Sequence, residues 1–179
     1  MFNTGFSNPE SIIEQLSLGE AATVVDLGAG TGHYAIAAAK AVGGNGHVYA
    51  VDVQKDILGK IHDQASMLGI TNIKTQWGDI EQLNGSKVAD SAADAVLVCN
   101  TLFQIEDKSG LVQEVLRIIR PKGRLLVVDW TDSHAGMGPD PSLIVSANDA
   151  EQLFTQAGFT KERDVEAGDH HYGFIMRAP

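Results

Sequence analysis

The stretch Val24-Val25-Asp26-Leu27-Gly28-Ala29-Gly30-Thr31-Gly32-His33-Tyr34 decides how the rest of the chain is read. A β-branched, apolar run stops at Asp26, glycines follow at alternate positions, and a helical pattern begins at once. That is a strand, a tight turn and a helix start in succession. Glycines in such a turn permit backbone angles closed to other residues and leave room for a ligand against the main chain. The helix that follows presents free N–H groups and a partial positive charge.

Two cofactor classes use such a turn, and glycine spacing separates them. The dinucleotide fingerprint G-x-G-x-x-G needs a third glycine where this chain has His33. The pattern here is G-x-G-x-G after Val-Asp-Leu. It resembles motif I of the class I S-adenosylmethionine-dependent methyltransferases, which implies that Asp26, Gly28, Ala29, Gly30 and Gly32 belong to a cofactor site.

The chain has 179 residues, enough to bury a core without staples. Its 44% hydrophobic and 20% charged residues are ordinary for a globular protein. Cys99, in an apolar run, is the one cysteine. It cannot pair within the chain, and it reads as a small buried hydrophobe rather than a catalytic thiol. The first Lys or Arg is Lys40, so no basic secretory start is present and a cytoplasmic location is expected. No apolar run approaches the roughly 18 residues of a membrane span. The net charge of −10, with no basic cluster beyond turn chemistry around Arg117, Arg120, Lys122 and Arg124, argues against DNA or bulk RNA as a partner.

Along the chain, Ser7-Asn8-Pro9-Glu10 opens a short helix with Ile12, Ile13 and Leu16 on one face. Within a lead-in of residues 1–20, this helix either covers the cofactor or packs on the sheet edge. Phe2 and Phe6 are lid residues or a frayed terminus. Residues 21–179 read as one domain. After the glycine turn come a helix to Val42 and a strand His47–Asp52. Asp52 stands 20 residues beyond Gly32, where an acid in nucleotide-binding α/β folds accepts from ribose hydroxyls. It suits both cofactor readings, and a helix cap for Gln54 is its plain alternative. Val53, next to it, is included in the candidate site.

A helix from Lys55 to Leu68 leads to a third strand ending Trp77-Gly78-Asp79-Ile80. This ending resembles the methyltransferase position where an acid accepts from the adenine amino group and the next N–H meets a ring nitrogen. The resemblance gives those roles to Asp79 and Ile80, beside Gly78. Trp77 reads as a core or edge aromatic. The apolar fourth strand, Asp94–Asn100, is expected to be buried on both faces, with Asn100 at the reaction centre.

Two departures narrow the chemistry. Methyltransferases of base amino groups resemble N/D-P-P-Y/F where this chain has Asn100-Thr101-Leu102-Phe103. Metal-dependent catechol-type enzymes resemble an acid there and an Asp-Asn pair after the next strand, where this chain has Asp129-Trp130. No metal and no nucleobase-amino chemistry is therefore expected. An arsenic-methylating relative would need several cysteines.

Helix Ser109–Ile119 and strand Leu125–Trp130 flank Arg120-Pro121-Lys122-Gly123-Arg124. This segment resembles the family's late motif, with the proline stopping the helix and the glycine making the turn. Residues 131–147 break the alternation and read as a substrate-facing lid loop. His134 is the candidate base within it, with exposed loop polarity as its plain reading. A last helix from Ser146 to Gly158 precedes two strands joined at Ala167-Gly168-Asp169. His170 and His171 flank that turn, one of them pointing inward.

The sequence thus predicts an α/β, Rossmann-like doubly wound fold. It has seven strands, mostly parallel, a C-terminal antiparallel hairpin and helices on both faces. The resemblance covers residues 22 to 177 and is strongest to compact quinone-biosynthesis-type methyltransferases. It implies S-adenosyl-L-methionine as cofactor, S-adenosyl-L-homocysteine as product, a small-molecule acceptor and in-line methyl transfer without metal. Two other readings stay open: a non-catalytic binding module or partner subunit, and an NAD(P)-binding Rossmann protein. Acceptor atom and oligomeric state are not legible.

Overall fold

The computed structural model describes residues 7–134 and 136–179, so Phe2 and Phe6 lie outside the described residues. The first helix, α1 (Pro9–Leu16), begins as its sequence dictates. Asn8 Oδ1 accepts from the backbone N–H of Glu10 at 3.1 Å and Ser11 at 3.3 Å, with Pro9 in the first turn. Ile12, Ile13 and Leu16 form its buried face.

Strands β1 (Thr23–Leu27), β2 (His47–Asp52), β3 (Ile73–Trp77), β4 (Ala93–Cys99) and β5 (Ile119–Trp130) run parallel. Strand β7 (His171–Arg177) is antiparallel to both β5 and β6 (Thr160–Asp164). Among the described residues these form one sheet in the order β3-β2-β1-β4-β5-β7-β6. The order reverses between β1 and β4, the place where open α/β sheets leave a crevice outside the strand ends.

Helices α2 (His33–Val42) and α3 (Lys55–Met67) join α1 on one face of the sheet. Helices α4 (Lys108–Ile118) and α5 (Ala147–Thr155) cover the other. The alternation of β-strand side chains explains the division. Leu97 and Cys99 face the α1–α3 layer, whereas Val96 and Val98 face α4 and α5. Central strands buried on both sides must be largely apolar, as β4 is from Ala95 to Cys99. The expected architecture is thus present, hairpin included. No helix among the described residues is long and apolar enough to cross a membrane.

One turn is built differently from its expected form. After α4, the chain enters β5 at Ile119, which pairs with Ala93, and the ladder resumes at Arg124 opposite Ala95. The intervening Arg120–Gly123 bulges out. Lys122, not Gly123, takes the left-handed conformation, with φ of 63°. Gly123 is needed for space instead, since a Cβ there would stand 2.7 Å from Ile119 Cγ1 and 2.9 Å from the Arg120 carbonyl oxygen.

Candidate active site

The turn after β1 is pinned to β2 before any ligand is considered. The N–H groups of Gly28 and Ala29 both donate to the Val51 carbonyl at 2.9 Å. The next free donor, Gly30 N–H, is met by Asp52 Oδ2 at 3.0 Å, while Asp52 Oδ1 accepts from Gln54 N–H at 2.9 Å. Asp52 therefore performs the capping role and also braces the glycine turn. A carboxylate offers about four lone-pair sites, so two remain for a ligand. Gly28 has φ of 74°, and a Cβ on it would come within 2.7 Å of Thr101 Cγ2. Its lack of a side chain is what lets the end of β4 close against the turn.

The end of β3 forms the next wall. Gly78 N–H donates to the Asp52 carbonyl at 3.1 Å, and Trp77 Nε1 donates to the Val53 carbonyl at 3.0 Å. Trp77 is the edge aromatic of the two alternatives, 47% exposed, with Lys55 and Lys87 ammonium groups 5.1 and 4.4 Å from its ring centre. Asp79 Oδ1 accepts from Glu81 N–H at 3.0 Å and fixes the turn.

At the end of β4, Asn100 has φ of 54°, and its Oδ1 is buried with no partner. The following residues are held from beneath by Asp129. Its Oδ2 accepts from the N–H groups of Thr101 at 3.1 Å and Leu102 at 2.8 Å, and Oδ1 from Trp130 N–H at 2.8 Å. Burial raises the Asp129 pKa, and the three backbone donors oppose that rise. Asp129 is thus a brace for the site floor.

These strand ends enclose a groove of about 510 Å³. Of the residues singled out in the sequence, Gly28, Ala29, Gly30, Asp52, Val53, Gly78, Asp79, Ile80 and Asn100 line it. Asp26, Gly32 and His134 do not, and each has a physical reason. Asp26 lies below the turn, 2% exposed, its Oδ2 without a partner. Burial pushes its pKa up to about 7, against the Ala35 backbone N–H and with the charge of Asp52 adding to the rise. Gly32 faces α3, where a Cβ would meet Ile61 Cγ1 at 2.7 Å. His134 stacks on His170 at 4.4 Å between ring centres, and His170 Nδ1 lies 2.7 Å from Asp132 Oδ1.

The first half of the loop is thereby tied to the start of β7. A Cβ on Gly138 would stand 3.0 Å from the Trp130 ring, whose indole lies 4.2 Å from the His171 imidazole. His171 is the inward-pointing member of its pair, and burial lowers its pKa. No group of His, Cys, Asp or Glu among the described residues is arranged to hold a metal ion.

The groove also takes residues the sequence did not single out for it. Tyr34, in the first turn of α2, and Cys99 line it from the α1–α3 side, with Ser7 and Pro9 at its mouth. Burial raises the pKa of both Tyr34 and Cys99, which leaves the thiol a neutral wall rather than a nucleophile. The signal for Tyr34 was its place directly after the glycine turn. Gln104 and Ile105 complete the far wall, and nothing in their local pattern marked them.

A crevice at the reversal of strand order, walled by a glycine turn and by acids at the end of β2 and just beyond β3, has the form in which open α/β domains hold their ligands. The particular family follows from comparison with known proteins. A family model described as a methyltransferase domain matches residues 18–163, and the chain belongs to that family.

An arsenite methyltransferase of Halobacterium salinarum is 30% identical over 125 residues, covering 70% of this chain and 30% of that protein. A ubiquinone/menaquinone biosynthesis C-methyltransferase of Haemophilus ducreyi is 30% identical over 109 residues, covering 60% of this chain and 41% of that one. The chain thus spans less than half the length of these curated relatives. An S-adenosylmethionine-dependent methyltransferase from Aquifex aeolicus superposes with a TM-score of 0.87 at 25% identity, covering 97% of this chain and 91% of that one.

Proposed function

We propose that this chain binds S-adenosylmethionine in the groove and directs its methyl group to a small-molecule acceptor without a metal. The observation that carries this reading is the charge of the groove wall. Asp52, Asp79 and Glu81 line it, and among the described residues no lysine or arginine does. A sulfonium and an ammonium meet complementary charge there. The diphosphate of a dinucleotide would find the N-terminus of α2 but no lysine or arginine in that wall, so the wall favours the sulfonium over the nicotinamide reading.

The family resemblance assigns the parts of the cofactor to the walls. Asp52 accepts from the ribose hydroxyls, Asp79 from the adenine amino group, and the Ile80 N–H meets the ring. The glycine turn lets the amino-acid end lie close to the backbone, beside the unpartnered Asn100 Oδ1. The sulfonium methyl is already electrophilic, so the protein's task is alignment and exclusion of water. The brace of Asp129 under Thr101 and Leu102 serves that alignment by fixing the floor before substrate arrives.

Of the chemistries named for the relatives, arsenite methylation fits least. Soft-metalloid capture calls for several thiolates. Cys99 is this chain's one cysteine, buried and held as a thiol. We place the acceptor among organic small molecules. The net charge of −10 and the acidic groove weigh against nucleic acid.

Calorimetric titration with S-adenosylhomocysteine tests the reading, with Asp52→Ala and Asp79→Ala alongside and NADH as competitor. Binding that weakens by about 1–3 kcal/mol in each variant is expected, the cost of leaving a ligand donor unpaired. NADH binding without S-adenosylhomocysteine binding overturns it.

A further inference from the structure

A second cavity, of about 710 Å³, opens beside the cofactor groove. Gln104 and Ile105 belong to the walls of both, so the two spaces meet at these residues. The chain there is anchored on each side. Gln104 Nε2 donates to the Asn100 carbonyl at 3.3 Å, and Lys108 Nζ donates to the Ile105 carbonyl at 2.8 Å. The opposite wall is the second half of the 131–147 loop, Leu143 to Val145, and the facing side of α5. The volume lies in the range of small-molecule sites.

We propose that this cavity receives the methyl acceptor, and that the acceptor is a largely apolar molecule whose polar end is uncharged or cationic. The assignment rests on the methyl-transfer reading of the neighbouring groove. Phe103, Leu143, Ile144 and Leu153 supply an apolar surface, and Gln152 and Gln156 supply neutral donors and acceptors. Leu143 is 52% exposed, an apolar cost that a bound molecule removes. Glu106 and Asp149 outnumber the one ammonium, Lys108, which is already engaged with Ile105. A carboxylate or phosphate entering there meets net negative charge.

Outside the lining, on β7, a buried polar group stands without a partner. Tyr172, in register with Asp129 on β7, has a buried hydroxyl with no hydrogen bond, within electrostatic reach of Asp149. The loop's division of labour follows from the same geometry. Asp132, His134 and Gly138 are held against His170 and Trp130, and residues 142–145 are left to shape the cavity.

The test uses three indole probes of similar size: tryptamine, tryptophol and indoleacetate, each followed by backbone amide NMR on the full chain. S-adenosylhomocysteine affinity is measured separately on the same samples. Tryptamine and tryptophol are expected to shift the amides of Leu143 to Val145 and Gln152, with indoleacetate about tenfold weaker. Gln152→Trp, on the exposed side of α5, should abolish these shifts while leaving S-adenosylhomocysteine affinity unchanged. Glu106→Lys should strengthen indoleacetate binding by about threefold. Equal binding of all three probes, or shifts confined to the Gly28–Gly30 turn, overturns the proposal while the cofactor reading stands. Failure of S-adenosylhomocysteine to bind overturns the cofactor reading and the acceptor assignment with it.

Discussion

Asp52 Oδ2 accepts the Gly30 N–H at 3.0 Å, so the end of β2 holds the turn after β1 in its binding shape without a ligand. The same carboxylate caps the start of α3 through Gln54 N–H. On the proposed reading the carboxylate that receives the cofactor is the one that already braces the turn and the helix start, so a change at Asp52 acts on the free protein as well. Asp52→Ala is expected to lower the ligand-free unfolding free energy by about 1–3 kcal/mol, since two part-buried N–H groups lose their acceptor. Asp52→Asn, which keeps one acceptor oxygen, should fall between. Urea denaturation without ligand measures both, and an unchanged midpoint for Asp52→Ala would show that water replaces the carboxylate freely.

Gly32 meets Ile61 rather than the groove, and this contact makes its own prediction. A Cβ at Gly32 takes a left-handed conformation, φ 79°, and stands 2.7 Å from Ile61 Cγ1. The backbone strain costs about 1–2 kcal/mol and the overpacking about 1–3 kcal/mol. Gly32→Ala should therefore destabilise strongly while the spacing of groove residues changes little. Adding Ile61→Ala should recover the packing part and leave the backbone part. A double-mutant cycle by urea denaturation gives the coupling, and strictly additive effects would deny the contact.

The same two residues show what a sequence can and cannot display. Asp52 and Asn100 sit at the ends of largely apolar runs and Gly78 and Asp79 just past the half-polar β3, and parallel strands bring their ends to one edge; reading the strand ends therefore located the groove. Gly32 looks the same as Gly30 in the sequence, but its neighbour Ile61 is set by how α3 packs on β2 and β3 beside the glycine turn. No local pattern records that. The sequence shows His134 in a loop, yet the loop's course depends on Asp132 reaching His170 just before β7. The second cavity was invisible for a related reason. Leu143, Gln152 and Gln156 are ordinary surface residues until α5 docks beside Gln104.

Asp26 carries a pH dependence opposite in sign to that of most carboxylates. Burial holds its pKa near about 7 in the folded protein, above its ordinary value of 3.8. The folded state thus keeps a proton that the unfolded chain releases. Its contribution is most favourable below pH 4, declines as pH rises to 7, and is constant beyond. The full penalty is of the order of 4 kcal/mol. Asp26→Asn removes it, so the variant should gain most over the native protein at pH 8 and least at pH 5. Urea midpoints across that range check the slope, and parallel curves would show that Asp26 stays ionised throughout.

Glu114 makes the opposite case and ties α4 to the cofactor wall. The residue is fully buried, and its carboxylate accepts the N–H groups of Asn84 at 2.8 Å and Ser86 at 3.0 Å, the Ser86 hydroxyl, and Arg117 Nε at 2.9 Å. Arg117 reaches on to Asp90 and the Val88 carbonyl. The segment so fixed lies directly under the Asp79 turn, since a Cβ on Gly78 would strike the Gly85 carbonyl and one on Gly85 the Asp79 carbonyl. Burial works to raise the Glu114 pKa, yet Arg117 and the Ser86 and Asn84 donors hold it below its ordinary range. Its stabilisation is therefore complete at neutral pH and lost as pH falls through that lowered value. Glu114→Ala should cost about 3–5 kcal/mol by leaving the Asn84 and Ser86 N–H groups without an acceptor and Arg117 without its buried partner. Glu114→Gln, which keeps acceptor oxygen but no charge, should cost less and flatten the acid decline. Because Asp79 rests on this segment, both variants should weaken S-adenosylhomocysteine binding although neither touches the groove. Calorimetry beside acid titration separates the two effects, and full affinity in a destabilised Glu114→Ala would show the Asp79 turn to be self-supporting.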